Sequence, residues 1–101
     1  MIEAAEAATR FAAGRDRADL DSDEMLRFAI VRAVEVIGEA AARVTAPAQE
    51  ETPSIPWREI VSMRNRLVHA YYDINVDVLW QTVSEDIPAI IPTLRAALQN
   101  A

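Results

Sequence analysis

Six apolar residues, Leu26, Ile30, Ala33, Ile37, Ala41 and Val44, follow one another at intervals of three and four. That spacing stacks them on one side of an α-helix, and no strand period fits it. Phe28, Val31 and Val34 widen the stripe on another side. The apolar arc is broader than a surface helix needs, so this helix is predicted to be central to the fold, or shared with a second subunit. Its start is written as Asp21-Ser22-Asp23-Glu24, with an acid or Ser at the N-cap and Glu24 three residues after Asp21. Its end is expected near Val44.

The rest of the chain follows the same helical logic. Glycine occurs twice and alanine nineteen times among 101 residues, a composition that favours helix throughout. No segment alternates Val, Ile and aromatics as a strand would. Residues 2–13 read as a first helix, with Gly14 where a C-terminal cap belongs. Arg15 to Leu20 reads as a charged loop. Thr45 to Pro56 holds three prolines and reads as a linker with one short turn, and Pro56 suits the first position of the next helix. That helix includes Trp57, Ile60, Val61, Leu67 and Val68 and should end between Tyr71 and Asn75. Asn75 or Asp77 is placed to cap a further helix carrying Val76, Leu79, Trp80 and Val83. Pro88 and Pro92 are expected to interrupt or restart it, with Ser84-Glu85-Asp86 as the new start. The predicted fold class is all-α: one domain over residues 1–101, an antiparallel bundle of four to five helices.

Composition limits the function classes. Hydrophobic residues make up 51% of the chain, far above the disordered range. No run of about 18 apolar residues exists to cross a membrane. The N-terminal residues carry Glu3 and Glu6 and lack the early positive charge of a secretory signal, so the expected location is cytoplasmic. Absence of Cys and a single His argue against a thiolate or zinc site. A zinc site is therefore not expected, and for other metals and for cofactors the expectation is also none. The formal charge is −6 and every basic residue is Arg. Between residues 58 and 66 lie three Arg against one acid, whereas the remainder holds seven Arg against fifteen acids. An acidic chain thus carries one basic segment, which leaves a phosphate or RNA site open. A solvated helix face explains the same charges.

Ser62 to Tyr72 gathers the single His, two Arg, an Asn and both Tyr. Arg offers a planar fork of donors to a phosphate. His exchanges a proton near neutral pH. Asn orients a hydroxyl or phosphate oxygen, and Tyr donates, stacks or is modified. On one straight helix Arg64 and His69 lie about 140° apart and roughly 7.5 Å along the axis. Asn65 and His69 share a face, and Arg66 and His69 are about 60° apart. Arg64 and His69 converge if the helix distorts, if the Arg side chain bends round, or if a second subunit completes the site. The last, with the broad apolar arc, favours a homodimer. Structural roles compete: His69 as a helix-end residue, Arg64 paired to Glu35 or Glu39, Trp57 and Trp80 in the core, Tyr71 and Tyr72 covering the bundle end.

Arg64-Asn65-Arg66-Leu67-Val68-His69 matches the R-x4-H motif of HEPN ribonucleases, and Ala70-Tyr71 extends it to R-x4-H-x-Y. With Ile55 to Ile60, Glu35 to Ala41, Val78 to Trp80 and Glu85 to Pro88 as flanks, residues 20–98 resemble the HepT toxins. The resemblance implies a HEPN-type bundle that dimerises with its two motifs facing across a cleft. It implies metal-independent cleavage of cellular RNA, tRNA or mRNA, by the toxin of a toxin–antitoxin pair. Arg64 and His69 would be the catalytic pair, with Asn65, Arg66 and Tyr72 supporting or binding RNA. It also implies an MntA-type nucleotidyltransferase antitoxin that transfers AMP from ATP to Tyr71, with Tyr72 the lesser acceptor. The alternatives are a non-catalytic HEPN-like subunit that binds a nucleotide or a nucleotidyltransferase partner, and a purely structural helical dimer.

Overall fold

The computed structural model describes residues 1–67 and 75–99. They form α1 (Ile2–Ala12), α2 (Arg17–Ser22), α3 (Glu24–Arg43), α4 (Ala46–Glu51), α5 (Trp57–Leu67), α6 (Val76–Gln81), a π-helical turn (Thr82–Asp86) and α7 (Ile87–Gln99). No strand occurs among the described residues, and the all-α class holds. Four long rods make the bundle: α1, α3, α5, and α6 to α7 joined through the π turn. The elements α2 and α4 are six-residue helices in the connections. No helix among the described residues is long and apolar enough to cross a membrane.

The long helix α3 is the shared wall, packing against α1 on one side and α5 on the other. The expected stripe is its buried face: Leu26, Ile30, Ala33, Ile37 and Ala41 are buried, and so are Val31 and Val34. Phe28 departs from the expectation and is 55% exposed. Helix α1 lies between α3 and α7 and brings the small residues Ala5 and Ala8, fully buried, into the contact. From the last rod come Leu79, Val83, Ile87, Ile90, Ile91 and Leu94.

Local signals explain most of the boundaries. Asp23 is the N-cap of α3 and accepts from the Leu26 N–H at 3.0 Å. The cap is therefore Asp23 rather than Asp21. Gly14 takes φ +73° and follows Ala13 at φ −59°, ψ 128°, while the Arg15 N–H donates to the Ala12 carbonyl at 3.0 Å. That is a type II turn, which needs Gly at its third position. Thr45 caps α4, the one short element of the linker. Pro56 sits one residue before α5, and its carbonyl accepts from the Ile60 N–H at 3.0 Å. Asn75 caps α6 by accepting from the Val78 N–H at 3.2 Å. The expected end of the preceding helix, between Tyr71 and Asn75, lies outside the described residues.

Two expectations are corrected. Arg15 to Leu20 is not a loop: it contains the start of α2. Asp16 and Asp19 cap each other's backbone N–H groups there, at 3.2 and 2.8 Å. An acidic capping box stabilises a short helix that composition alone reads as coil. Leu20 is then fully buried, and Arg17 binds both Asp21 and Asp77, tying α2 to α6. The prolines interrupt the last rod only in part: α6 does give way over Thr82–Asp86 and α7 restarts at Ile87 beside Pro88, but the break is a π turn within a continuous rod, and Pro92 lies inside α7 without interrupting it. The apolar positions Leu79, Val83 and Ile87 are spaced by four twice over. In an unbroken α-helix those eight residues overshoot two turns by about 80°. The π turn, with the Ile87 N–H reaching the Thr82 carbonyl, takes up the excess and returns Ile87 to the core. The same wider turn lets the chain pass Pro88, whose ring would otherwise meet the carbonyl four residues back. Pro92 is on the exposed side of the rod, where a carbonyl left without its helical donor is open to solvent.

The turn leaves one polar atom unserved. Thr82 is 1% exposed, and its hydroxyl has no hydrogen-bond partner among the described residues. Thr82→Val keeps the shape and removes the unpaired group. It should raise unfolding free energy by about 1 kcal/mol in urea denaturation; a loss of stability would mean that the hydroxyl is bonded.

Candidate functional site

The sequence placed its chemistry at Arg64, Asn65, Arg66, His69, Tyr71 and Tyr72. The structure brings the first three together on the last turns of α5. His69, Tyr71 and Tyr72 lie outside the described residues. Helix α5 is amphipathic. Ile60 and Met63 are 1% and 4% exposed and hold it against the core, while Arg58, Ser62 and Asn65 are exposed. Arg64 is half-buried. It sits one helical turn beyond Ile60, on the side that faces α3.

What receives Arg64 is a missing side chain. Gly38 lies in the middle of α3 and is buried. A Cβ built on it would stand 2.5 Å from Arg64 Cβ, 2.6 Å from its Cδ and 2.9 Å from its Cγ. The aliphatic stem of Arg64 therefore occupies the space that any larger residue at position 38 would take. Glycine inside a helix costs about 1 kcal/mol relative to alanine. Here it allows α3 and α5 to approach closely and holds the Arg64 stem between them. Sequence reading passed over this contact. The available signal was a glycine in the interior of the most regular helix of the chain.

The electrostatics separate Arg64 from a structural arginine. The pairing with Glu35 or Glu39 is not made. Glu35 is 3.5 Å from Arg32, its neighbour on α3. Among the described residues no carboxylate lies within 4.0 Å of the Arg64 guanidinium. An arginine held by its stem and left without a carboxylate is suited to an anion from outside. Nor is Arg58, on the exposed side of the same helix, engaged by a described carboxylate. The two Arg place positive charge on two sides of α5 in an otherwise acidic protein. Among the described residues no group of three or more His, Cys, Asp or Glu is arranged to hold a metal ion.

Beside the exposed face of α5 lies an open groove of about 420 Å³, lined by Gln49, Trp57, Arg58, Val61, Ser62 and Asn65. Trp57 is partly buried, and its indole N–H donates to the Thr52 carbonyl at 3.2 Å. It belongs to the core margin, as its helical spacing suggested, and it also forms one wall of the groove. Trp80 is likewise packed against the core.

Comparison with known proteins gives the site a context. The family described as "HepT-like: Ribonuclease HepT-like" matches residues 1–97. A protein of Thermococcus cleftensis named "Probable ribonuclease HepT" is 46% identical over 72 residues, which span 71% of this chain and 66% of that protein. A protein of Methanocaldococcus jannaschii named "Putative RNase MJ1380" is 37% identical over 90 residues, 89% of this chain and 83% of the relative. No solved structure matches the chain.

The Gly38 contact is testable without any assumption about substrate. Gly38→Ala improves helix propensity and would stabilise an ordinary helix. Here it should lower stability by about 1–3 kcal/mol, because Arg64 Cβ is fixed to the backbone and α5 must back away. Any Arg64-dependent rate should fall by up to about 100-fold as the guanidinium is displaced. Thermal unfolding and activity, measured together, check both; a stabilised and fully active variant would show that the contact is dispensable.

Proposed function

We propose a reaction and a biological role for this chain, which belongs to the HepT-like ribonuclease family. That membership, with relatives named as RNases, makes it an endoribonuclease. The proposal concerns how it cuts and what restrains it.

RNA carries its own nucleophile. The ribose 2′-OH attacks the adjacent phosphorus, a 2′-O–P bond forms, and the P–O bond to the next 5′-oxygen breaks. The products are a 2′,3′-cyclic phosphate and a free 5′-OH. One base must take the 2′-OH proton and one acid must supply a proton to the leaving 5′-oxygen. No activated water enters this step, so metal-independent chemistry suffices. In this proposal His69 moves the protons, and two copies of the chain supply the two imidazoles. Arg64 stabilises the charge that builds on the phosphate oxygens. Asn65, Arg66 and Tyr72 hold the strand. The proposed homodimer meets the need for two imidazoles and answers the angle of about 140° that one straight helix would put between Arg64 and His69.

The observation that carries this reading is Arg64: a half-buried residue whose stem is seated on Gly38 and whose guanidinium is unpaired by any described carboxylate. A structural arginine at such a place would be expected to have an acid beside it. A phosphate-binding one needs none.

The biological role proposed is that of a toxin acting on tRNA or mRNA. Its antitoxin would be an MntA-type nucleotidyltransferase that moves AMP from ATP to Tyr71. An added anionic nucleotide two residues from His69 would fill the cleft and repel the RNA backbone.

Expression of the wild type without a partner gene should stop growth, with new RNA ends accumulating. His69→Ala should be harmless while remaining folded, with turnover of purified protein down about 10²–10⁴-fold. Arg64→Ala should lose about 10²–10³-fold. Protein shown by mass to carry no AMP, yet leaving all cellular RNA intact, would overturn the cleavage mechanism. It would favour a subunit that binds a nucleotide or partner.

A further inference from the structure

Of the motif residues, Arg64 lies on the side of α5 that faces α3 and Asn65 on the exposed side, where the residues before it have no part in the motif. Arg58, Val61, Ser62 and Asn65 recur there at intervals of three, one and three, so they form a single stripe along the helix. The stripe spans about 10 Å of helix axis and ends at Asn65, the residue next to Arg64. It forms one wall of the 420 Å³ groove, opposite Gln49 of α4. That volume falls within the roughly 300–1,000 Å³ of sites for small ligands, enough for a single nucleotide and not for a folded partner.

The lining has the composition of a nucleotide site. Arg58 is exposed, and no described carboxylate neutralises it, so its fork of donors is available to a phosphate. Trp57 and Val61 give an apolar wall, and the Trp57 ring is fixed by its hydrogen bond to Thr52. A ring already held in place loses little entropy when a base lies against it. The Gln49 amide nitrogen donates to the Val44 carbonyl at 3.2 Å and the Ala41 carbonyl at 3.5 Å. Its oxygen is therefore the group left to accept a hydrogen bond. Ser62 and Asn65 add a hydroxyl and an amide.

We infer that this groove receives one nucleotide of the RNA strand neighbouring the cut, with its phosphate on Arg58, its base against Trp57 and Val61, and its polar edge on Gln49, Ser62 and Asn65. The inference rests on RNA being the substrate of the Arg64 site. It gives α5 a second task beside that of Arg64: strand binding along its exposed side, up to Asn65.

The probe is a short mixed-sequence RNA, 2′-O-methylated throughout so that it lacks the nucleophile, with binding read by fluorescence anisotropy. Arg58→Ala should weaken binding about tenfold and lower the salt-dependence slope by about 0.7, one phosphate contact on a single strand. In cleavage of unmodified RNA it should raise KM about as much and leave kcat unchanged. Ser62→Trp, at an exposed position, fills the groove with an indole and should weaken binding at least as much. Circular dichroism and thermal unfolding confirm the fold, and Arg58→Gln replaces Arg58→Ala if the latter unfolds. Wild-type binding strength and KM in both folded variants would overturn the inference, as would a wild-type protein that does not bind the probe. Displacement of the probe by free ATP or AMP at equal concentration would also overturn it, making a mononucleotide the occupant. The two readings fail separately. Binding that depends on Arg58 in a protein that cuts no RNA would sink the cleavage mechanism alone. Normal cleavage by both variants would sink the groove alone.

Discussion

Helix α3 must satisfy two neighbours at once, and the rest of the structure follows from that. It is buried on a broad arc because α1 and α5 both lean on it. Large side chains on that arc fill the core, and Ile30 and Ile37 are fully buried. Small ones set how near the neighbours come. Ala5 and Ala8 of α1 are the small residues of one contact, and Gly38 of α3 is the small residue of the other. The approach of α5 to α3 is what holds the Arg64 stem between two helices, instead of on a loop where it would have to be ordered on binding. The choice of a poor helix former in the best helix of the chain is a local cost that the site explains.

The charge distribution extends this. The chain is acidic, yet the part of α5 that faces outward is not neutralised by its neighbours. Carboxylates in the described structure pair elsewhere: Asp21 and Asp77 with Arg17, Glu6 with Arg95, Glu35 with Arg32, Asp23 with Arg15. These exposed pairs add little stability individually. Their arrangement leaves Arg58 and Arg64, both on α5, without a described carboxylate, as it does Arg10, Arg27 and Arg43 on other helices. The acidic remainder would discourage a phosphate backbone from settling anywhere else.

How much of this was legible in the sequence depends on the range of the signal. The stripe from Leu26 to Ala41 fixed the central helix because periodic burial is written in neighbouring residues. The cap at Asn75 and the helix end at Gly14 were legible for the same reason. The short helix α2 was not, because its stability comes from a reciprocal Asp16–Asp19 cap and from the burial of Leu20, set in a stretch whose composition reads as coil. The fate of Pro88 and Pro92 was not legible either, since it depends on where Leu79 and Ile87 must both point. At the site, the Arg64 and Asn65 positions were readable from the motif. The seat on Gly38 and the groove opposite Gln49 were not, because each joins residues far apart in the chain.

The π turn between α6 and α7 has a consequence for the chain's length. A turn that carries one extra residue is the structural trace of an insertion that a helix has absorbed without uncoupling its two ends. Removing one residue between Thr82 and Asp86 would leave seven between Leu79 and the shifted Ile87, about 20° from two full turns, so both apolar stripes would still meet the core. Removing one residue from the middle of α7 would swing everything after it by about 100° and turn Leu94 outward. The rod therefore has one place where the gain or loss of a residue is compatible with the same core, and homologous chains of unequal length could differ there without differing in shape.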